Sequence, residues 1–204
     1  MLRPAANGTS PPNPDVPEPS DAELVRLAQS APGAFAPLYL RDRDAVLNYC
    51  YYRLGNQHDA EDAAGTVFVK ALGNLPRFSA RGDSFRSWLF SIAHNEIADR
   101  HRHRGRHPET TLLPALTIVD GSPLPEDAVI ASDRRARVLV LLSRLPERER
   151  SVLELRAAEL RTPEIAQVLG ISEQSVRTAQ SRAIARLRTL IGDEATLQQE
   201  AVNA

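Results

Sequence analysis

Residues 162–191 read T-P-E-I-A-Q-V-L-G-I-S-E-Q-S-V-R-T-A-Q-S-R-A-I-A-R-L-R-T-L-I, and the break in the middle of that stretch decides the fold. Thr162 can cap a helix that opens with Pro163, whose missing N–H costs nothing in a first turn. Glu164 places a negative charge where the helix dipole favours one. Ile165, Ala166, Val168 and Leu169 give this short helix an apolar side, and Gly170 can take the left-handed conformation that ends it. Ile171 fills the corner and Ser172 can cap the next helix. There Val176, Ala179, Ala183, Leu187 and Leu190 recur at helical spacing and predict a core-facing stripe. The opposite face carries Arg177, Thr178, Ser181, Arg182 and Arg188, guanidinium forks and short hydroxyls suited to phosphates and base edges. Two short helices around a tight glycine turn, the second basic on its outer face, predict a helix-turn-helix that binds DNA. An ordinary helical hairpin with solvated arginines is the alternative, and the agreement of turn, caps and charge placement disfavours it.

Composition agrees with an all-α protein. The chain has 204 residues, 42% of them hydrophobic, and only 10 glycines. No apolar run is long enough to span a bilayer, and the N-terminus lacks a signal-peptide core, so the expectation is a cytoplasmic protein without membrane insertion. The single Cys50 cannot form an internal disulfide, and its place in the apolar run Leu47–Tyr52 predicts a buried thiol. A net charge of −1 names no partner, but its distribution does. Arg100, Arg102, Arg104 and Arg106 stand against Asp99 alone, and Arg177, Arg182, Arg186 and Arg188 stand against Glu173. Two separated basic segments suggest two DNA contacts. Lys70 is the only lysine.

In chain order, residues 1–19 hold six prolines and predict a disordered tail. Ser20-Asp21 caps a short helix that Pro32-Gly33 breaks, and a second runs from Phe35 to Gly55. A third is expected to start at Asp59, with Ala63-Ala64, Val67-Phe68 and Ala71-Leu72 as its buried stripe. Gly65 in that helix costs ~1 kcal/mol relative to alanine, tolerable where another surface approaches the backbone. Leu75–Phe78 ends it, and a loop over 79–84 leads to a long helix opened by Phe85, Trp88, Leu89, Ile92 and Ala93. That helix ends in alternating Arg and His. His101, His103 and His107 lack a ligand set at metal spacing, so a basic helix end contacting phosphate is expected, with no metal and no cofactor. Residues 108–131, with four prolines, read as a linker. A helix is expected from Ser132, another after Pro146, then the helix-turn-helix, then a polar tail over 192–204.

The order of these pieces resembles a bacterial group-four, extracytoplasmic-function (ECF) sigma factor. Asp59-Ala60-Glu61-Asp62 with Val67-Phe68 resembles the family's D-A-E-D-L-V-Q-E-T-F segment. Phe85-Arg86-Ser87-Trp88-Leu89 with Ile92-Ala93 and Asn95 resembles F-x-x-W-L-x-x-I-A-x-N, and Asp99 with Arg102 resembles the D-x-x-R that follows. Leu145-Pro146, Arg150, Glu164-Ile165-Ala166, Leu169-Gly170-Ile171-Ser172, Ser175-Val176-Arg177 and Arg182-Ala183 match positions of the second unit. Gly65 and Thr66 stand where the family usually has Gln and Glu, and Ala179-Gln180 replaces a common Arg-Leu.

The resemblance implies two helical domains. Region 2 would cover 20–107 and region 4 would cover 132–191. It implies that Asp59, Glu61 and Asp62 dock on core RNA polymerase. Trp88, Ser91 and Asn95 would form a pocket for the opened minus-ten element of promoter DNA, with the loop Arg81–Ser84 beside them and Arg100, Arg102, Arg104 and Arg106 on nearby phosphates. At this spacing Trp88 reads as a core residue before it reads as a wedge. Ser172, Ser175, Arg177, Thr178, Ser181, Arg182 and Arg188 would face the minus-thirty-five element. An anti-sigma factor is an expected partner. The rival class, a free-standing helix-turn-helix regulator, would need a dimer helix, and no heptad pattern supplies one. An enzyme would need a phosphate loop, an H-E-x-x-H or a nucleophile elbow, and none is present.

Overall fold

The computed structural model describes residues 19–79, 84–106 and 126–202, apart from the side chains of 104–106, 126–134 and 194–202. Residues 1–18 of the expected tail (1–19), residues 108–125 of the expected linker (108–131) and most of the loop before Ser84 lie outside the described residues. Within them the chain is helical, in two units.

The first unit contains α1 (Asp21–Ser30), α2 (Ala36–Leu54), α3 (Gln57–Asn74) and α4 (Phe85–Arg106). Ser20 starts α1 through a reciprocal cap: its hydroxyl accepts the Glu23 N–H, and the Glu23 carboxylate accepts the Ser20 N–H at 2.9 Å. A 3-10 turn over Pro32–Phe35 leads into α2. Helix α2 ends where Gly55 takes φ 80° and its N–H donates to the Tyr51 carbonyl at 2.8 Å. The next helix begins two residues before the expected Asp59, because the Asn56 side chain accepts the Asp59 N–H at 2.8 Å and is the cap. The stripe on α3 is buried at Ala63, Ala64, Val67, Phe68 and Ala71, whereas Leu72 is 41% exposed.

Helix α4 crosses α2 and α3 and buries Phe85, Leu89, Phe90, Ala93 and Ile97. Phe35 meets Phe68 and Phe85 edge-on, with centroids 6.5 and 6.4 Å apart. Cys50 is fully buried in this core, and burial pushes its thiol up to about 12.

The second unit contains α5 (Glu126–Ser143), α6 (Glu147–Ala157), α7 (Thr162–Leu169) and α8 (Glu173–Val202). Three boundaries differ from the sequence reading. Helix α5 starts six residues before Ser132, inside the expected linker, because Glu126–Ala131 lacks the prolines that precede it. Thr162 lies inside α7 and Arg161 precedes it; the Arg161 N–H is satisfied by the Glu164 carboxylate at 2.7 Å, so Glu164 secures the helix start. Helix α8 runs unbroken through Ile191 and Gly192 to Val202, so the expected polar tail is helical there. Nothing after Ile191 breaks the pattern, and one Gly costs only ~1 kcal/mol against the propagation of a helix already formed.

The two units also touch. Helix α7 packs along α4 and α6 reaches α2, and buried apolar side chains of both units join in one cluster, with Phe85 and Leu89 from the first, and Leu160 and Ile165 from the second. The reading of two helical domains and a linker stands, and this packing between them is what the sequence did not foretell.

Candidate nucleic-acid interface

The turn between α7 and α8 is built as its residues demand. Gly170 takes φ 62°, where a side chain would be strained, and the Ile171 N–H closes back on the Ala166 carbonyl at 3.0 Å. Ser172 accepts the Ser175 N–H at 3.2 Å, starting α8. Val176, Ala179 and Ala183 are buried, while Leu187 and Leu190 are only half-buried. Short alanines on the inner face let α8 lie close to α6 and α7.

The outer face presents Arg177, Thr178, Ser181, Arg182 and Arg188, all exposed. Arg177 donates to Glu173 at 2.7 Å, one turn back on the same helix, an exposed pair of small energy that a phosphate can displace. Thr178 donates to the Gln174 carbonyl at 2.9 Å. Ser172 and Ser175 hydroxyls are 2.9 Å apart. Arg186 differs from its neighbours: it pairs with the buried Glu149 of α6 at 3.0 Å and holds the helix to its unit.

On α4 the expected residues separate. Trp88 is half-buried against Phe78 and Phe85, with centroids 4.8 and 5.7 Å away, so its ring belongs to the aromatic core. Ser91 is half-buried and donates to the Ser87 carbonyl at 2.8 Å; Asn95 is exposed. Arg100 turns inward. It donates to Glu96 at 2.7 Å and to the Thr66 hydroxyl at 3.3 Å, bracing α4 on α3 instead of reaching outward with Arg102.

Glu96 also receives Lys70. Burial would raise the Glu96 carboxyl, but hydrogen bonds and charge from Lys70 and Arg100 outweigh it and hold the group below the usual carboxylate range. This three-residue cluster escaped the sequence reading. Lys70 and Glu96 are 26 residues apart, and only the crossing of two helices joins them. Arg102 pairs with Asp99 on the surface. The side chains of Arg104 and Arg106 lie outside the described residues, as does the loop over 80–83.

The acidic turn of α3 is solvent-facing. Glu61 and Asp62 are exposed, with Gln57 and His58 as neighbours, and Asp59 is half-buried beside Asn56. Next to it an open groove is lined by Tyr39, Leu47, Ala64, Gly65 and Phe68. No surface covers Gly65: an added Cβ would meet nothing within 4 Å. Among the described residues no group of three or more His, Cys, Asp and Glu could hold a metal, and no helix is long and apolar enough to cross a membrane.

Comparison with known proteins agrees with this architecture. The family model for sigma-70 region 2 matches residues 38–107, and that for sigma-70 region 4 matches residues 135–187. The ECF sigma factor ShbA of Streptomyces griseus is 39% identical over 154 residues, 71% of this chain and 81% of its own length. SigW of Bacillus subtilis is 32% identical over 169 residues, 78% of this chain and 90% of its own. BldN of Streptomyces coelicolor is 34% identical over 85% of this chain, and the chain spans 66% of BldN. Among solved structures, CnrH in complex with the cytosolic domain of CnrY matches with a TM-score of 0.66 and 27% identity, over 85% of this chain and 97% of that one. The two units and their order define a sigma factor of the sigma-70 type. Within that class the chain belongs to the ECF RNA polymerase sigma factors.

Proposed function

We propose a division of labour between the units. The first docks on core RNA polymerase through the exposed acidic turn at Asp59, Glu61 and Asp62 and the groove beside Gly65. Its α4, with Ser91, Asn95 and Arg102 and the arginines after it, holds the opened minus-ten element. Unstacking a base costs a few kcal/mol, and a rigid, well-buried α4 can offer that base a preorganised surface. Arg100 acts by positioning, through Glu96. Trp88 acts as core under that surface. The second unit lays α8 in the major groove of the minus-thirty-five element, with Ser172 and Ser175 at its N-terminus and Arg177, Thr178, Ser181, Arg182 and Arg188 along it.

The observation that carries this reading is the outer face of α8: hydroxyls and arginines on one exposed side, and alanines on the other. The chain works without catalytic chemistry of its own, in the cytoplasm beside polymerase. CnrH was solved with the cytosolic domain of CnrY, which supports an anti-sigma partner for this chain as well.

The test is transcription from a two-element promoter with core polymerase and purified chain. Start sites sharing both elements are the expected result. Binding of the chain to intact duplex alone, with no polymerase-dependent initiation, would refute the assignment.

A further inference from the structure

Gln174 and Gln180 both lie early in α8, and the fold treats them differently. Gln180 is half-buried, and its side-chain oxygen accepts from Arg156 of α6 at 3.1 Å. The same guanidinium donates to the Thr162 hydroxyl at 2.8 Å and to the Leu160 carbonyl at 2.9 Å, so Gln180 fastens helices together. Gln174 lies in the first turn of α8 and is exposed. Among the described residues no hydrogen bond or ion pair engages its side chain. The sequence reading passed over it.

Position puts Gln174 at the front of the outer face. Gln174, Arg177, Thr178 and Ser181 stand three and four apart, so they share one side of the helix, and all four are exposed. In a helix-turn-helix the N-terminal residues of the second helix are the ones that reach base edges. The neighbours of Gln174 are already engaged. Arg177 is drawn back to Glu173 at 2.7 Å. The Ser172 and Ser175 hydroxyls meet at 2.9 Å, and Ser172 also caps the helix. Thr178 donates its hydroxyl proton to the Gln174 carbonyl at 2.9 Å, so what it has left to offer a base is chiefly its methyl. Gln174 keeps a donor and an acceptor side by side in one planar group. Adenine presents the matching pair on its major-groove edge, N7 as acceptor and the N6 amino group as donor. Guanine presents two acceptors there, N7 and O6, and one of them would face the amide oxygen. Cytosine and thymine each offer a single polar group.

We propose that Gln174 is a base-reading residue of the minus-thirty-five contact and that it selects adenine, with Thr178 laying its methyl on a thymine methyl close by. The two residues are one turn apart, about 6 Å along the axis, or about two base steps of about 3.4 Å. This rests on the placement of α8 in the upstream element, and adds which base is read and by which side chain.

The experiment uses the full chain with core polymerase and a promoter found by the start-site test above, its upstream element randomised. Duplexes bound by the assembly are recovered and sequenced for the wild type, Gln174→Ala and Gln174→Arg. Both variants change an exposed side chain, and circular dichroism checks that they fold. The wild type should enrich adenine at one position by about tenfold. Gln174→Ala should lose that enrichment and keep the other preferences. Gln174→Arg, whose fork matches guanine N7 and O6, should move the preference to guanine at the same position. Thr178→Ser should lower thymine enrichment at a neighbouring position. An adenine preference that survives both changes at Gln174, or that never appears, overturns the role of Gln174 and leaves α8 in its groove. An equal loss of binding to every sequence does the same, since that is the mark of a phosphate contact. If upstream sequence makes no difference even to the wild type, the placement of α8 fails and this inference fails with it.

Discussion

Helices α4 and α8 are the two that we propose meet DNA, and they are built in opposite ways. The first half of α4 is enclosed: Phe85, Ser87, Leu89, Phe90, Ala93, Glu96 and Ile97 are all buried, between α2, α3 and α7. On α8 only Val176, Ala179 and Ala183 are buried among the described side chains, and the outer side stands clear. A helix that enters a major groove needs a free flank along its length. One that holds an unstacked base needs a floor that does not yield. The difference in burial fits the two tasks proposed for these helices.

The widest gap between the two helices should appear in stability. Phe85→Ala removes a fully buried ring and is expected to cost about 3–5 kcal/mol, whereas Thr178→Ala on the outer face of α8 should stay within about 0.5 kcal/mol. Urea unfolding of both variants decides this, and equal losses would erase the contrast.

Binding should show the reverse order. Arg182→Ala leaves folding intact, weakens promoter binding across sequences, and lowers the slope of log affinity against log salt by about one. A titration over several salt concentrations reads it; an unchanged slope would remove Arg182 from the interface.

Acid should loosen the contact between the units by a smaller amount. Burial pushes the Glu164 carboxyl up, but hydrogen bonds from Arg161 and Ser84 and the Arg161 charge hold it below the usual range. Glu147 is similarly held down by Arg53 and Arg150 against its burial. The folded chain therefore binds these protons more weakly than the unfolded chain. Their stabilisation is complete above the ordinary carboxylate value of about 4.3 and drains as pH falls through the lower folded values. Glu154, raised by burial against the pull of Arg53 and Arg150, works in the opposite sense. Thermal midpoints that fall below about pH 4.3, and fall less in Ser84→Ala, are the expected result.

The smallest effect belongs to Gly65. Because a methyl there meets nothing, Gly65→Ala should stabilise α3 by about 0.5–1 kcal/mol. Gly170→Ala, at φ 62°, should do the reverse. A loss of stability at Gly65 would mean that α3 is not an ordinary helix there.

What was legible in the sequence was local. Gly170, Ser172, the Ser20 cap and the α3 stripe each act within a turn or two, so residue order shows them directly. The acidic turn and the basic face of α8 were legible for the same reason. The inward turn of Arg100 was not, since it depends on Lys70 and Thr66 from another helix. The bridge from Arg53 to Glu154 spans 101 residues, and in the sequence Arg53 is one more cation near a helix end. Glu164 shows the limit most clearly: its place in a first turn suggested a dipole partner, and it serves the Arg161 N–H and Ser84 as well.

The lone thiol carries a consequence for signalling. With its proton held up to about 12 and no exposed surface, Cys50 offers no thiolate to peroxide or to a metal at neutral pH. An oxidative cue that altered this chain's output would have to enter by a route other than this thiol.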